Sequence, residues 1–134
     1  MKEIMFTVGI DSVEIERFRP WINFSHKTLR KIYSETELAY SFSNESKKLE
    51  RLAVRFAAKE AFFKAIIQHI TLPVSILRIC SVCSIEVLPT GIPLLDIDWD
   101  RIGLPNTFTT QASFTHTQTT AIAVVVVIPG LSFD

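Results

Sequence analysis

The chain has 134 residues, and its 14 Lys and Arg balance 14 Asp and Glu, leaving a formal net charge of zero. At 48% hydrophobic and 21% charged, the composition is that of one folded domain over residues 1–134, with no room for a second full core. The neutral balance disfavours a general nucleic-acid binder, and the longest apolar run, Ala121 to Ile128, is too short to cross a bilayer.

Glu3 and Asp11 bracket the first apolar run, so no signal-peptide pattern opens the chain. Two cysteines make no disulfide scaffold, and a reducing cytoplasm is the expected setting. Positive charge is concentrated in the first half. Arg17, Arg19, Lys27, Arg30 and Lys31 lie in a stretch without any acid, which suits an acidic or phosphorylated partner as well as a solvated face.

In chain order, Ile4 to Ile10 is expected to form a strand. Ser12 to Phe18 reads as a helix, with Asp11 or Ser12 as N-cap and Pro20 limiting its end. Ser34 and Glu37 fit a capping box that opens a helix through Leu38 and Tyr40. From about Ser46 to Ile67 a long helix is expected, with Leu49, Ala53, Phe56, Phe63 and Ile67 in one apolar stripe. Glu60 falls in that stripe.

Pro73 ends the helical half. Ile76 to Leu88, Thr107 to Thr115 and Thr119 to Ile128 are β-prone, separated by the Pro89–Pro93 turn and by His116-Thr117-Gln118. Ala121 to Ile128 has no polar alternation, which suits a central strand covered on both faces. The fold class is therefore α+β: an antiparallel sheet of four or five strands against one long helix, with shorter N-terminal helices.

No glycine-rich phosphate loop is present. Cys80 and Cys83 lie three apart in a strand-like pattern, so their thiols are expected to diverge as core residues. Asp11 sits at a strand end, where a carboxylate serves either a site or a helix cap. Glu60 needs a partner on an apolar stripe; Lys64, four residues on, supplies a bland ion pair. One hard cation held by Asp11 and Glu60, with Lys64 and Arg55 nearby, would make a phosphate site. His116, at the predicted hairpin turn, is open to ligand or simply to solvent.

Several segments together resemble a known family, the small holo-acyl-carrier-protein synthases among the 4′-phosphopantetheinyl transferases. The matching residues are Gly9-Ile-Asp-Ser-Val-Glu-Ile-Glu-Arg17-Phe18, Glu37-Leu38, Arg51-Leu-Ala-Val-Arg-Phe-Ala-Ala-Lys-Glu-Ala-Phe-Phe-Lys64, Ser113-Phe-Thr-His116-Thr117 and the last apolar strand. The resemblance implies transfer of the phosphopantetheine arm of coenzyme A to a serine of apo acyl carrier protein, releasing adenosine 3′,5′-bisphosphate. It implies Mg²⁺ on Asp11 and Glu60, Lys64 on the diphosphate, and Arg55, His116 and Lys47 on coenzyme A phosphates. Asp11, Glu60 and Lys64 are then the catalytic set, and Arg17 meets the acidic carrier protein. A homotrimer with sites at subunit interfaces is also implied, so that Asp11 and Glu60 can come from different chains.

Two features depart from the family pattern. Ile67-Gln68-His69-Ile70 stands where a Gly-Thr-Gly is usual, and Gly91-Ile92-Pro93 replaces Gly-Lys-Pro. The first removes backbone freedom for close approach to phosphate, and the second removes a charge. A relative that binds coenzyme A or carrier protein without transfer is the alternative expectation. A coenzyme A thioester hydrolase also suits the architecture but leaves Asp11 and Glu60 unexplained.

Overall fold

A computed structural model of the chain describes residues 5–71, 73–105 and 107–130. Strand β1, Thr7–Glu14, pairs antiparallel with the late strand β5, Thr120–Ile128, from Thr7 opposite Val127 to Glu14 opposite Thr120. The strand thus runs four residues past Ile10, and the helix expected over 12–18 with Asp11 as its cap does not form. Period-two burial decides this: Thr7, Gly9 and Val13 face inward while Val8, Ile10 and Ser12 face out. Ile4 lies outside the described residues. The chain then winds as a 3₁₀ helix, Ile15–Asn23, which accommodates Pro20 and buries Ile15 and Phe18.

Helix α1, His26–Leu29, leads to α2, Glu35–Phe42. The predicted capping box is present: Ser34 Oγ accepts from the Glu37 amide at 3.2 Å, and the Ser34 amide donates to Glu37 Oε1 at 2.8 Å. The long helix α3 spans Lys48–Ile66 and continues as a 3₁₀ turn, Ile67–His69. Its buried face differs from the predicted stripe. Leu52, Ala57, Ala58, Ala61, Phe62, Ala65 and Ile66 are buried along with Ala53 and Phe56, whereas Leu49 and Phe63 are half-buried and Ile67 is exposed. The sheet selects the alanines, because small side chains let strands lie close to the helix axis.

Helix α4, Ile76–Val82, replaces the first half of the strand expected over 76–88. Ser75 caps it, its Oγ accepting from the Arg78 amide at 3.2 Å, and Ile79, Cys80 and Val82 are buried. Strand β2, Cys83–Val87, then forms a hairpin with β3, Pro93–Ile97, around Gly91 at φ 86°. After the short α5, Trp99–Ile102, strand β4, Thr109–His116, returns against β5. The described residues therefore contain five strands, divided between a three-stranded sheet, β1-β5-β4, and the two-stranded β2-β3 hairpin. Helix α3 crosses the inner face of the larger sheet. The α+β class holds, with two antiparallel sheets instead of one.

Cys80 and Cys83 straddle a helix–strand junction, not a single strand, and both thiols are free and buried. Burial raises the Cys80 thiol to about 11 and the Cys83 thiol further. Native protein at pH 8 is expected to resist iodoacetamide at both positions, and denatured protein to take up two labels by mass spectrometry.

An ion pair lies inside the core, with Lys59 and Glu37 side chains both at 0% exposure. Lys59 Nζ donates to Glu37 Oε1 at 2.7 Å, the Ile32 carbonyl at 2.6 Å and the Cys80 carbonyl at 3.2 Å. Glu37 Oε2 accepts the Ile85 amide at 3.0 Å. Every Lys59 donor and both carboxylate oxygens are thereby satisfied. Removing one partner strands the other charge, so Lys59→Met is expected to cost about 3–5 kcal/mol in denaturant unfolding.

Candidate active site

Strand β1 and helix α3 meet so closely at Gly9 that a Cβ there would lie 1.8 Å from the Ala61 carbonyl oxygen. Thr7 fixes the same seam, its Oγ1 donating to the Ala65 carbonyl at 2.8 Å. Asp11 follows two residues later, on the strand face that looks toward the helix. Glu60 and Lys64, one helical turn apart on α3, face the same place. Lys64 Nζ donates to Asp11 Oδ1 at 3.1 Å and to the Ile10 carbonyl at 3.0 Å.

The Asp11 and Glu60 carboxylates are neighbours within the one chain. Burial raises the Glu60 carboxyl above its usual range, and the neighbouring Asp11 carboxylate pushes it the same way; Arg17 and Lys64 partly offset this. Asp11 is only 10% exposed, and its Oδ2 is buried with no hydrogen-bond partner among the described residues. Two crowded acids, one with an orphaned oxygen, form a donor set that fits a hard cation keeping most of its own waters.

The remaining predicted residues lie around this centre in different states. Arg17 stands over the Phe18 and Phe56 rings, at 5.6 and 5.7 Å from their centroids, within electrostatic reach of Glu60. Arg55 is buried at 5% exposure. On α3 it precedes Glu60 by five residues, which puts it about 140° around the helix axis. His116 ends β4, where its Nδ1 lies 3.3 Å from Glu50 Oε1 and 3.2 Å from the Thr117 carbonyl. Lys47 is exposed just before α3. The site in one chain thus comprises Asp11, Glu60 and Lys64 with Arg17 beside them.

Sequence reasoning missed Lys59 and read Glu37 only as a cap. The signal existed, because Lys59 follows Phe56 by three residues and precedes Phe62 by three, a spacing that puts its charge among buried aromatics.

The 4′-phosphopantetheinyl transferase superfamily model matches residues 7–125, nearly the whole described chain. The chain belongs to that superfamily. A holo-[acyl-carrier-protein] synthase of Chloroherpeton thalassium is 35% identical over 125 residues, covering 91% of this chain and 97% of the relative. One from Treponema denticola is 46% identical over 59 residues, covering 44% of this chain, and the matched segment spans about half the relative's length, 47%. The Helicobacter pylori holo-[acyl-carrier-protein] synthase in complex with coenzyme A is 31% identical with a TM-score of 0.69, covering 90% of this chain and 98% of that one. The superfamily match begins at Thr7 and so takes in the β1–α3 seam.

The acid pair has a measurable cost. A carboxyl whose proton affinity is raised by folding destabilises the fold once pH exceeds its unfolded value, and the penalty is complete above the folded value. Glu60→Gln is therefore expected to raise the melting temperature of metal-free protein at neutral pH. The same variant is expected to lose any stabilisation by added Mg²⁺ that the unaltered chain shows.

Proposed function

We propose that the chain is a holo-acyl-carrier-protein synthase, moving the 4′-phosphopantetheine arm of coenzyme A to a serine of apo acyl carrier protein. The observation that carries this reading is the convergence of Asp11, Glu60 and Lys64 on one spot, with an unpartnered carboxylate oxygen and an amine beside it. Full-length likeness to a relative of that name supports it. Asp11 and Glu60 would hold Mg²⁺, whose charge, when bound, offsets that of the coenzyme A diphosphate.

The other roles belong to the chain's own side chains. Lys64 Nζ has three protons and makes two hydrogen bonds with acceptors among the described residues, so one remains for a diphosphate oxygen. Its charge lowers the cost of the negative charge that gathers on the leaving nucleotide as the serine oxygen bonds to phosphorus. Arg55, His116 and Lys47 are assigned to the other phosphate contacts. The diphosphate P–O bond breaks, adenosine 3′,5′-bisphosphate leaves, the serine hydroxyl proton passes to Glu60 or to water, and the serine carries the phosphodiester.

The acidic carrier protein is assigned to the basic N-terminal half. Arg19 is held by Glu16, and Arg30 and His26 by Glu35, whereas Arg17, Lys27 and Lys31 enter no ion pair among the described residues. Unpaired cations of this kind speed encounter with an acidic partner. No helix among the described residues is long and apolar enough to cross a membrane, and a cytoplasmic setting fits the free thiols.

Self-association into a trimer is part of the same reading. The outer face of the three-stranded sheet presents Val8 and Ile10, at 47% and 61% exposure, beside Ile122, Val124 and Val126. An apolar row of that kind on a central strand calls for a covering surface, and a second copy of the same row supplies it under closed symmetry. Ile10→Glu is expected to yield monomers by light scattering, where the unaltered chain gives a trimer.

The decisive assay is transfer from coenzyme A to apo carrier protein with Mg²⁺, followed by the mass increase of the carrier. Asp11→Ala and Glu60→Ala are each expected to abolish turnover, by at least about a hundredfold for loss of a group that positions transition-state charge. Undiminished turnover in both would remove the metal-site assignment. One observation favours the second reading, binding without transfer. The Ile67–His69 turn is tied to β1 by a 3.0 Å hydrogen bond between His69 Nε2 and Thr7 Oγ1, leaving less backbone freedom than glycines would. Calorimetric binding of coenzyme A without any carrier product would decide for it.

A further inference from the structure

Arg78 and Arg101 are the only lysine or arginine residues after Lys64, and the fold brings them together beside a cavity of about 660 Å³. The cavity lies between the end of the Ile67–His69 turn, the residues that lead into α4, and the end of α5. Ile70, Val74, Ile102 and Leu104 give it apolar walls, and no carboxylate lines it among the described residues.

The two guanidinium groups latch α4 and α5 reciprocally. Arg78 Nη2 donates to the Arg101 carbonyl at 2.9 Å, and Arg101 Nη1 donates to the Ser81 carbonyl at 3.3 Å. Ser81 belongs to a second cavity, which also carries Asp96 and Asp98 and which Arg101 borders as well. Arg101 is thus shared between two cavities, whereas Arg78 lines the first and not the second.

Neither arginine has a carboxylate within ion-pair distance among the described residues. Asp98 is near Arg101 in sequence, but its Oδ1 accepts the Arg101 amide at 3.3 Å as the cap of α5. Arg78 is exposed, and its single hydrogen bond among the described residues leaves Nε and Nη1 unused. His69 also lines the cavity without adding charge. Its Nε2 donates to Thr7 Oγ1, whose own proton goes to the Ala65 carbonyl, and burial lowers its proton affinity, so the ring is neutral at pH 7.

A ligand here meets one unpaired guanidinium fork, part of a second, and apolar side chains. One fork matches the two oxygens of a carboxylate, whereas a phosphate dianion calls for more positive charge than this wall supplies. The apolar walls favour an aliphatic tail over a fully polar ligand. We propose that this cavity is a binding site for an aliphatic carboxylate, with the carboxylate on Arg78 and the tail along Ile70, Val74, Ile102 and Leu104. The site shares no residue with the one assigned to coenzyme A, so binding here does not depend on the transferase reading.

Sodium octanoate titrated into the isotope-labelled full chain, followed by amide chemical shifts in NMR, tests the site. Saturable shifts are expected at His69 and Ile70 and over Ile102–Leu104. Butanoate, with its shorter tail, is expected to bind at least about tenfold more weakly. Octanol, which lacks the charge, and inorganic phosphate, which lacks the tail, are expected not to saturate the same amides. Arg78→Gln is expected to weaken octanoate about tenfold or more, the scale of a lost charge-assisted hydrogen bond. Arg78 also joins α4 to α5; should the variant fail to fold, the octanol and phosphate arms on the unaltered chain decide.

Octanoate shifts centred instead on the exposed Val8 and Ile10, or on Phe24 and Phe42, would overturn the site. So would octanol, phosphate or butanoate binding as tightly as octanoate, or a folded Arg78→Gln that binds undiminished. The absence of any saturable shift would overturn it as well.

Discussion

The approach of β1 to α3 at Gly9 is the constraint on which the site depends. A strand and a helix normally stay apart by the width of their side chains. Here a missing Cβ on the strand faces Ala61 and Ala65 on the helix, so main chain lies against main chain. The strand's period of two then puts Asp11 on the helix side, and the helical period puts Glu60 and Lys64 opposite it. Each element contributes its part without a loop, so the two acids are held by regular backbone hydrogen bonding on both sides. A bulkier residue at position 9 would force β1 and α3 apart and separate the carboxylates with them.

Such a seam fixes how close the helix lies but leaves open how it is rotated. That second constraint comes from the Lys59–Glu37 pair, placed in sequence next to Glu60 but buried within the core. Lys59 binds acceptors from the α1–α2 loop, α2 and α4, and Glu37 also holds β2. Rotating α3 would withdraw an ammonium from three acceptors at once in a region without water to replace them. The helix therefore has one azimuth, and the neighbouring carboxylate one direction. Buried ion pairs seldom add much net stability, but their geometric specificity suits an element that must aim a side chain.

Much of this was legible in the sequence because local signals agreed with the tertiary structure. The Ser34–Glu37 box, the break-free helix from Lys48 and the apolar run of β5 each rest on short-range physics. The failures came where a longer-range contact decided. Asp11 looked like a helix cap because Ser12 and Glu14 are good helix-start residues, yet pairing with β5 outweighed them. Residues 76–82 carry β-prone Ile, Cys and Val, but the cap at Ser75 and burial of Ile79 and Cys80 on one side favoured a helix. The alanine face of α3 was hidden, since a hydrophobic stripe is sought among large residues and the sheet required small ones.

Two features of the single chain remain incomplete, and they are of opposite chemical kinds. On the inner side of β1, Asp11 and Glu60 bring negative charge together, with one oxygen left without a donor. On the outer side of the same strand, Val8 and Ile10 extend the apolar row of β5 into solvent. Neither feature helps an isolated chain to fold, since crowded carboxylates repel and exposed valine and isoleucine gain nothing from burial. Under the proposed function both would become favourable on binding: a cation would relieve the first, and another copy of the sheet face would cover the second. Because alternate residues of one strand carry the two features, ordering β1 through its outer face also steadies Asp11 on its inner face. Under the proposed function, assembly through the outer face and a cation on the inner face would act on the same strand, and each would strengthen the other.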